Sequence, residues 1–340
     1  MKIIATIGPS CKDGKIVQEF IENGVDIFRF NFSHGSLKEF DSFQKIIRGK
    51  ENNIHIMGDL SGGKIRVSDK LPYIYKIYNG EEVFVCGEDK YLHPTYVDKD
   101  KKKIIPLNIE SNKFKNSKVE SISMKDNTMQ FKIIGYTEDG IRAVVTKGGI
   151  IREGKGCNII GIDREAGILN EKDKINIDWC IKNKVEIICQ SFVENVEDIK
   201  IIKKYIKENS INYNPKIWAK IETPKGVNNS MSILENVDGV VIGRGDLVPE
   251  GTIIKAPIYQ ERIIKIAKES KKNDIIVGTH VLNSMRDGKR PEFSEVDSIY
   301  NMINKDVTGF LLSGETSIGK APVQTVKFLK ELIEKYKEKK

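Results

Sequence analysis

Apolar runs alternate along the chain with amphipathic segments. Runs with the length and composition of buried strands lie at residues 2–8, 27–32, 53–60, 186–192, 216–222, 239–243, 274–280 and 309–313. Segments whose apolar residues recur at helical spacing predict helices at 13–23, 37–49, 195–208, 226–236, 257–272, 294–304 and 322–338. Strands that alternate with helices in this way predict an α/β fold, in which a parallel sheet closes into a (β/α)8 TIM barrel.

The alternation breaks in one interval, from about residue 67 to 155, where short strands follow one another without a good amphipathic helix. Turn signals such as Asn79-Gly80 separate these strands. We therefore predict that residues 67–155 form a small all-β lid domain, a β-barrel inserted after the third strand of the large barrel. Residues 1–66 and 156–340 then form the catalytic barrel, and they number roughly 250, the usual size of such a barrel.

Composition narrows the class of protein. Apolar residues make up 39% of the 340 residues and charged residues 31%, which indicates a soluble chain with enough apolar side chains for a full core. The amino terminus lacks the pattern of a signal peptide, and no apolar run reaches membrane-spanning length, so we expect a cytoplasmic protein with no membrane partner. The five cysteines show no CxxC spacing, which argues against a disulfide framework and against a zinc site.

Charge adds one further expectation. The formal net charge of +8 is carried largely by runs of mixed sign without interleaved aromatic residues. That pattern argues against a nucleic-acid partner. A positive balance suits an enzyme that handles anionic metabolites.

Charged and polar side chains gather where the predicted strands end, and (β/α)8 barrels carry their catalytic groups at these carboxyl ends. In KIWAKIE, Lys220 and Glu222 leave the fifth strand on one face, because side chains two positions apart point the same way. Asp246 lies in GRGDL, which we predict to be a glycine-flanked loop whose backbone N–H groups approach a ligand. The other candidates at strand ends are Arg29, Asn31, Ser33, His34, Asp59, Lys64, Arg66, Thr279, Ser313 and Glu315.

These residue types match one chemistry. Arg29, Arg66 and Lys220 are cations for phosphate, and fixed cations around a transferring phosphoryl group are what that reaction requires. Glu222 and Asp246 are carboxylates for a hard divalent ion, and Mg²⁺ takes few protein carboxylates together with substrate oxygens and water. A structural ion pair would explain Lys220 and Glu222 alone. Matched groups at most of the strand ends favour a phosphoryl-transfer site.

Seven segments at or beside the strand ends resemble those of pyruvate kinases. They are ATIGPS (5–10), RFNFSHG (29–35), DLSGGKIR (59–66), AKIE (219–222), GRGDL (243–247), THVLNSM (279–285) and SGET (313–316). Their order and the β insertion after the third strand match the family as well. The resemblance implies a (β/α)8 barrel with an inserted β-barrel lid. It also implies a kinase that moves the phosphoryl group of phosphoenolpyruvate to ADP, giving pyruvate and ATP.

The C-terminal regulatory domain that is usual in the family has no counterpart in this sequence. The resemblance therefore implies that effector control of the usual kind is absent. One of the family's subunit interfaces is lost with that domain, so the expected assembly is a homodimer formed through the barrel.

The resemblance carries roles onto matching positions around the substrate. Lys220 would contact the phosphoryl group in flight and the enolate oxygen, while Glu222 and Asp246 would bind Mg²⁺ or Mn²⁺. Backbone N–H groups around Gly245 and Asp246, with Thr279, would hold the substrate carboxylate. Thr279 would also help to relay the proton that converts enolpyruvate to pyruvate.

Other positions match the phosphate and nucleotide contacts of the family. Arg29 and Arg66 would hold phosphate as part of the catalytic machinery. Asn31, His34 and Lys155 would line the nucleotide side, with Lys155 supplied by the lid.

The monovalent-cation region departs from the K⁺-dependent members of the family. Asn31, Ser33 and Asp59 match the usual ligands, but Leu60 stands at the threonine position and Lys64 at the glutamate position. A lysine ammonium beside phosphate replaces one fixed cation by another. We therefore expect that K⁺ is not required.

Two alternatives remain open at this point. IETPKGVNN followed by GRGDL is also similar to aldolase and lyase barrels that act on pyruvate enolates and bind Mg²⁺ through a Glu and an Asp, although those barrels lack RFNFSHG and the inserted lid. The second alternative is a non-catalytic relative that binds phosphoenolpyruvate or a nucleotide. The replacement of a proline-bearing lid motif by NIIG (158–161) favours it, and the retention of Lys220 argues against it.

Overall fold

A computed structural model of the protein describes residues 1–49, 53–91, 103–125, 127–164, 169–272 and 274–338. Contacts divide the chain into two compact units. The first, called the barrel unit, spans Met1–Gly62, Ala166–Leu247 and Ile254–Lys340. The second, called the β unit, spans Gly63–Glu165 and Val248–Ile253.

The barrel unit contains a closed parallel barrel. Its strands are β1 (Lys2–Thr6), β2 (Ile27–Asn31), β3 (His55–Leu60), β12 (Ile187–Gln190), β13 (Lys216–Ile221), β14 (Gly239–Gly243), β15 (Asp274–Gly278) and β16 (Gly309–Leu312). They follow one another around the barrel in this order, and β1 closes it by pairing with both β2 and β16. The predicted (β/α)8 fold is confirmed, and each predicted strand begins and ends within about two residues of the observed one.

Helices follow the barrel strands. They are α1 (Gly14–Glu22), α2 (Leu37–Arg48), α5 (Glu171–Lys182), α6 (Val196–Asn209), α7 (Pro224–Asn228), α8 (Ser230–Glu235), α9 (Arg244–Glu250), α10 (Ala256–Glu269), α11 (Asn283–Arg286), α12 (Phe293–Asn304), α13 (Gly314–Ser317) and α14 (Pro322–Lys337), with a short 3₁₀ turn at Pro9–Cys11. The helix predicted at 226–236 is divided into α7 and α8 at Asn229. The sequence did not predict α5, and the prediction of a loop at GRGDL is wrong, since α9 begins directly after β14.

Side chains of the barrel strands alternate between two buried layers. The inner layer consists of Ile4, Ile27, Met57, Ile187, Cys189, Trp218, Val241, Ile276 and Leu311. The outer layer, which includes Ala5, Phe28 and Val240, packs against the helices as part of a larger apolar cluster. Because both layers are apolar along the strands, the polar groups of the barrel unit are concentrated at the strand ends.

The β unit has a separate apolar core, which includes Val85, Ile105 and Ile141. Its larger sheet runs in the order β11 (Cys157–Ile160), β7 (Ser121–Met124), β8 (Met129–Tyr136), β9 (Gly140–Lys147), β5 (Glu82–Gly87) and β6 (Lys103–Leu107). A second sheet pairs β4 (Tyr75–Ile77) with β10 (Gly149–Ile151), and two short helices are α3 (Glu88–Tyr91) and α4 (Asn112–Asn116). An inserted β domain is therefore present, and its predicted bounds, 67–155, stay a prediction.

Within the described ranges, every helix is too short or too polar to cross a bilayer.

Candidate active site

Two cations, Arg29 of β2 and Lys220 of β13, meet at the carboxylate of Asp59 of β3. Lys220 Nζ lies 2.9 Å from Asp59 Oδ2, and Arg29 Nε donates to the same oxygen at 2.6 Å. Asp59 Oδ1 accepts a hydrogen bond from Ser191 Oγ at 2.9 Å, and Arg29 Nη1 donates to Thr6 Oγ1 at 3.0 Å. We call Arg29, Asp59 and Lys220 the charge cluster. It holds two cations on one carboxylate at the carboxyl end of the barrel.

Burial and neighbouring charges together set the pKa values of Asp59 and Lys220. The side chain of Asp59 is 1% exposed and that of Lys220 is 12% exposed. Burial alone would raise the pKa of Asp59, but the charges of Lys220 and Arg29 outweigh burial and hold this pKa at about 2. Burial likewise opposes the charge of Lys220, yet Asp59 and Glu222 keep its pKa above the ordinary lysine value. Lys220 is therefore a cation at neutral pH.

Glu222 lies beside the charge cluster, as its spacing from Lys220 predicts. One carboxylate oxygen, Oε1, is 3.9 Å from Lys220 Nζ, and Oε2 accepts a hydrogen bond from the backbone N–H of Phe192 at 3.0 Å. Strands β13 and β14 pair side by side, with Ile221 opposite Ile242. Glu222 therefore follows one strand of this pair, and Asp246 stands in the first turn of α9, directly after the other.

The turn after β2 holds the next three candidates. Asn31 Oδ1 accepts from the backbone N–H of Ser33 at 3.1 Å, and the backbone N–H of His34 donates to the Asn31 carbonyl at 2.9 Å. Ser33 Oγ lies 3.2 Å from Ser61 Oγ, so this turn contacts the segment that follows β3. Asn31 also pairs with Asp59 across β2 and β3, and Asp59 already contacts protein cations.

Comparison with known proteins assigns the family. The sequence model of "Pyruvate kinase, barrel domain" matches residues 1–326. The pyruvate kinase of Thermococcus litoralis is 32% identical over 99% of this chain and 70% of its own length. That of Methanocaldococcus jannaschii is 34% identical over 97% and 68%, and that of Thermoplasma acidophilum 30% identical over 99% and 58%.

The chain belongs to the pyruvate kinase family. It spans between 58% and 70% of the length of these three relatives. Membership of the pyruvate kinase family decides against the aldolase and lyase barrels that the sequence left open.

A pyruvate kinase site needs a divalent cation, and the donors at the barrel end suit one. Among the described residues, no three or more His, Cys, Asp and Glu side chains are grouped for a metal ion. Glu222 and Asp246 offer two hard carboxylates, which is the number Mg²⁺ takes when substrate oxygens and water complete its octahedron. The residue types are therefore compatible with a divalent ion that takes its other ligands from substrate and water.

Three of the predicted site residues, Lys64, Arg66 and Lys155, belong to the β unit. Arg66 Nη1 donates to the Gly154 carbonyl at 3.0 Å, and the Lys64 side chain packs 3.1 Å from the position that a Cβ would take at Gly156. Burial lowers the pKa of Lys155, with Lys125 and Arg152 adding like-charge repulsion. The three cations thus gather around the stretch 152–156 of the β unit, and their predicted roles toward substrate stay predictions.

Besides Ser191 and Thr6, the polar residues of the barrel end that the sequence did not indicate include Asp173 and Arg244. Asp173 of α5, only 1% exposed, accepts hydrogen bonds from the backbone N–H groups of Ser61 at 3.0 Å and Gly62 at 2.9 Å. The signal for it was Asn170, three positions earlier, which caps α5 by accepting from the Asp173 N–H. Among the described residues, Arg244 donates to backbone carbonyls and to one serine, and such partners leave no sequence pattern.

Proposed function

We propose that the protein is a pyruvate kinase. It transfers the phosphoryl group of phosphoenolpyruvate to ADP, giving pyruvate and ATP, and it uses Mg²⁺ or Mn²⁺ without a requirement for K⁺. The observation that carries this proposal is the charge cluster at the barrel end, with Glu222 beside it. Family membership supports the same reaction.

Lys220 is the group on which phosphoryl transfer depends most in this proposal. The transferring group passes through a loose transition state in which charge spreads over its oxygens. A cation fixed before the reaction stabilises that charge without reorganising during the step. Asp59 holds the Lys220 ammonium at 2.9 Å, and Arg29 supplies a second cation on the same carboxylate. Arg66 of the β unit would bind phosphate as a third cation.

The divalent ion would be held by Glu222 and Asp246. When bound, it supplies positive charge to the substrate carboxylate and to the enolate oxygen. Backbone N–H groups around Gly245 and Asp246, at the start of α9, would orient the carboxylate, because the amino end of a helix favours an anion. Thr279 would stand beside the same carboxylate and help to pass a proton to enolpyruvate. Asn31, His34 and Lys155 would contact the nucleotide.

The partners of Asp59 support the proposed independence of K⁺. Its two oxygens contact Lys220, Arg29 and Ser191, so protein groups surround the carboxylate that K⁺-dependent enzymes would offer to the ion. Lys64 stands where those enzymes have a glutamate. A fixed ammonium there would supply the charge that K⁺ supplies elsewhere.

We also propose that two copies assemble through the barrel. Large apolar side chains are exposed near the starts of α10 and α12 of the barrel unit: Ile254 at 80%, Ile258 at 64% and Phe293 at 84%. Sedimentation velocity measures the assembly directly. If Ile258→Glu or Phe293→Glu converts the dimer into a monomer, the contact between the two copies lies on this face.

The test of the reaction is a coupled assay. Pyruvate is followed with lactate dehydrogenase and NADH, and ATP with luciferase, after phosphoenolpyruvate, ADP and MgCl₂ are mixed with the protein. We expect both products in equal amounts, none with EDTA, and equal rates in sodium and potassium salts. Binding of phosphoenolpyruvate by calorimetry without formation of either product would instead establish the non-catalytic alternative.

A further inference from the structure

The backbone is strained at the end of β15. Thr279 has φ of +66° and His280 has φ of +53°, so two consecutive residues other than glycine occupy the left-handed region. This region is uncommon for any residue with a side chain and is a genuine outlier for a β-branched one such as threonine. Such conformations persist only where the surroundings hold them.

Arg244 holds this strained pair through its guanidinium. Nε and Nη2 donate to the Thr279 carbonyl at 2.9 Å and 2.7 Å, and Nη2 also donates to the His280 carbonyl at 2.6 Å. Nη1 donates to Ser298 Oγ of α12 at 3.1 Å, which fixes the plane of the guanidinium. A planar fork of donors reaches adjacent carbonyls in a way that a lysine ammonium does not.

The residues around the strained pair are closely packed. A Cβ at Gly245, next to Arg244, would lie 2.8 Å from Thr279 Cγ2, so the threonine side chain lies directly against the backbone at the start of α9. Val281 and Leu282, which follow the pair, are buried and anchor its other end. The strained pair is therefore fixed by the buried residues Val281 and Leu282 that follow it and by the guanidinium of Arg244.

Charge supports the arginine in this position. Burial lowers the pKa of Arg244 to about 10, and the nearby charge of Glu315 opposes that effect. The guanidinium donates through Nε, Nη1 and Nη2 to the partners described above. Glu315 itself is 2% exposed, and its Oε2 accepts from the backbone N–H of Ser313 at 2.8 Å.

We infer that Arg244 is a positioning residue, which keeps Thr279 and His280 in the left-handed conformation and so sets the place of the Thr279 hydroxyl at the substrate. The inference rests on the proposed function, because it gives Thr279 its role beside the substrate carboxylate. Arg244 acts through the backbone and touches no substrate atom. Its loss should therefore disturb the steps that need Thr279 and leave nucleotide binding nearly unchanged.

The test begins with Arg244→Lys, which keeps the charge and removes the fork. Two rates are measured: formation of pyruvate, and exchange of the pyruvate methyl hydrogens for deuterium in D₂O, followed by proton NMR. We expect both rates to fall about tenfold or more, with the KM for ADP changed by less than about twofold. Arg262→Lys is the matched control, since Arg262 is exposed and its Nη1 contacts only Asn228 at 3.1 Å among the hydrogen bonds described. The control should keep both rates.

A rescue variant separates positioning from general damage. Glycine enters the left-handed region without a steric penalty, so Arg244→Lys combined with His280→Gly should recover much of the lost rate. His280→Gly alone should stay near the wild-type rate. Ser298→Ala removes one acceptor only and should give a loss smaller than that of Arg244→Lys. Rates near wild type in Arg244→Lys, or no recovery in the double variant, would overturn the inference.

A crystal structure of Arg244→Lys gives a readout independent of activity. We expect φ of Thr279 or His280 to leave the left-handed region. Retention of both conformations without the fork contradicts the inference, whatever the activity. A wild-type protein that forms no pyruvate refutes the proposed function instead, and the crystal structure then still decides whether Arg244 holds the pair.

Discussion

Asp59 holds two cations with one carboxylate, so its ionisation matters for folding as well as for the site. Its pKa of about 2 lies below the ordinary value of about 3.9. A carboxylate with a lowered pKa stabilises the fold above its unfolded-state pKa, and that contribution is lost as the pH falls through the folded-state pKa. The difference between the two pKa values corresponds to a contribution of about 2 to 3 kcal/mol to the free energy of unfolding at neutral pH.

We therefore predict that Asp59→Asn lowers the free energy of unfolding at pH 7 by about 2 kcal/mol or more. The difference in free energy of unfolding between variant and wild type should become smaller as the pH falls from about 4 to about 2, because wild-type Asp59 then loses its charge. Urea denaturation at a series of pH values measures it. A difference that stays constant over this range contradicts the assigned role of Asp59.

Lys64 tests the proposed independence of K⁺. The wild-type protein should be equally active in sodium, potassium and tetramethylammonium salts. Lys64→Glu should lose activity, because unit charges about 5 Å apart at an effective dielectric of about 20 interact by roughly 3 kcal/mol and the sign is reversed. Potassium should restore part of this loss, and Lys70→Glu, at an exposed position of the same unit, should lose none. Strong activation of the wild type by K⁺ would refute the proposal.

Individual residues were predictable where a local rule applied. The spacing of two along β13 placed Lys220 and Glu222 together without knowledge of the fold. Asp59 was expected near a monovalent cation, and its pairing with Lys220 depends on the order of β3, β12 and β13 around the barrel. Arg244 escaped notice because backbone carbonyls, its main acceptors, are present at every position of a chain.

At the scale of elements, the turn after β3 combines a glycine in the left-handed region with a buried carboxylate. Gly62 has φ of +59°, and a Cβ there would lie 2.1 Å from the Ser191 carbonyl oxygen. Asp173 fixes the same turn by accepting from the N–H groups of residues 61 and 62. If the backbone of Ser191 moved away from a methyl group at residue 62, it would also move the hydroxyl that contacts Asp59.

We predict that Gly62→Ala destabilises the protein by about 2 kcal/mol or more, since both the conformation and the contact oppose a methyl group. Gly80→Ala is the matched control. Gly80 has φ of +86° with nothing within 4 Å of a Cβ, so only the conformational cost of about 1 kcal/mol applies. Thermal unfolding of both variants measures the difference. Equal losses of stability in Gly62→Ala and Gly80→Ala would show that the contact at Ser191 is unimportant.

Elements were predictable where apolar periodicity was clear. The barrel strands are short apolar runs, and the long amphipathic helices carry one apolar face each. Helix α5 was missed because Asp173 and Asn176 are among its buried residues, which breaks the apolar stripe. Helix α9 was missed because Gly245 and Pro249 are typical of loops, whereas the barrel topology starts a helix directly after β14.

Each unit buries apolar side chains of its own: the barrel unit has its inner and outer layers, and the β unit has a separate core. Ile105 of the β unit and Ile263 of the barrel unit are both fully buried, and truncating either to alanine costs about 2 to 5 kcal/mol. We predict that Ile105→Ala speeds amide hydrogen exchange in peptides of the β unit, and Ile263→Ala in peptides of the barrel unit. Mass spectrometry of exchanged peptides measures this. Equal acceleration in both units by either variant contradicts separate cores.

We predict that catalysis depends on Lys220. Lys220→Met removes the fixed cation, and Lys216→Met is the matched control on the same strand, where Lys216 lies at the amino end and contacts Asp274 at 3.8 Å. The loss expected from one fixed electrostatic group is roughly 3 kcal/mol, about a hundredfold in rate. Circular dichroism and thermal unfolding show whether each variant is folded.

The most direct measurement is ³¹P NMR of phosphoenolpyruvate and ADP mixed with Mg²⁺ and each folded protein. The wild type and Lys216→Met should convert the phosphoenolpyruvate resonance into the resonances of ATP at similar rates. Lys220→Met should be slower by about a hundredfold or more. Conversion by Lys220→Met at a rate near that of the wild type would contradict the assignment of phosphoryl transfer to the charge cluster.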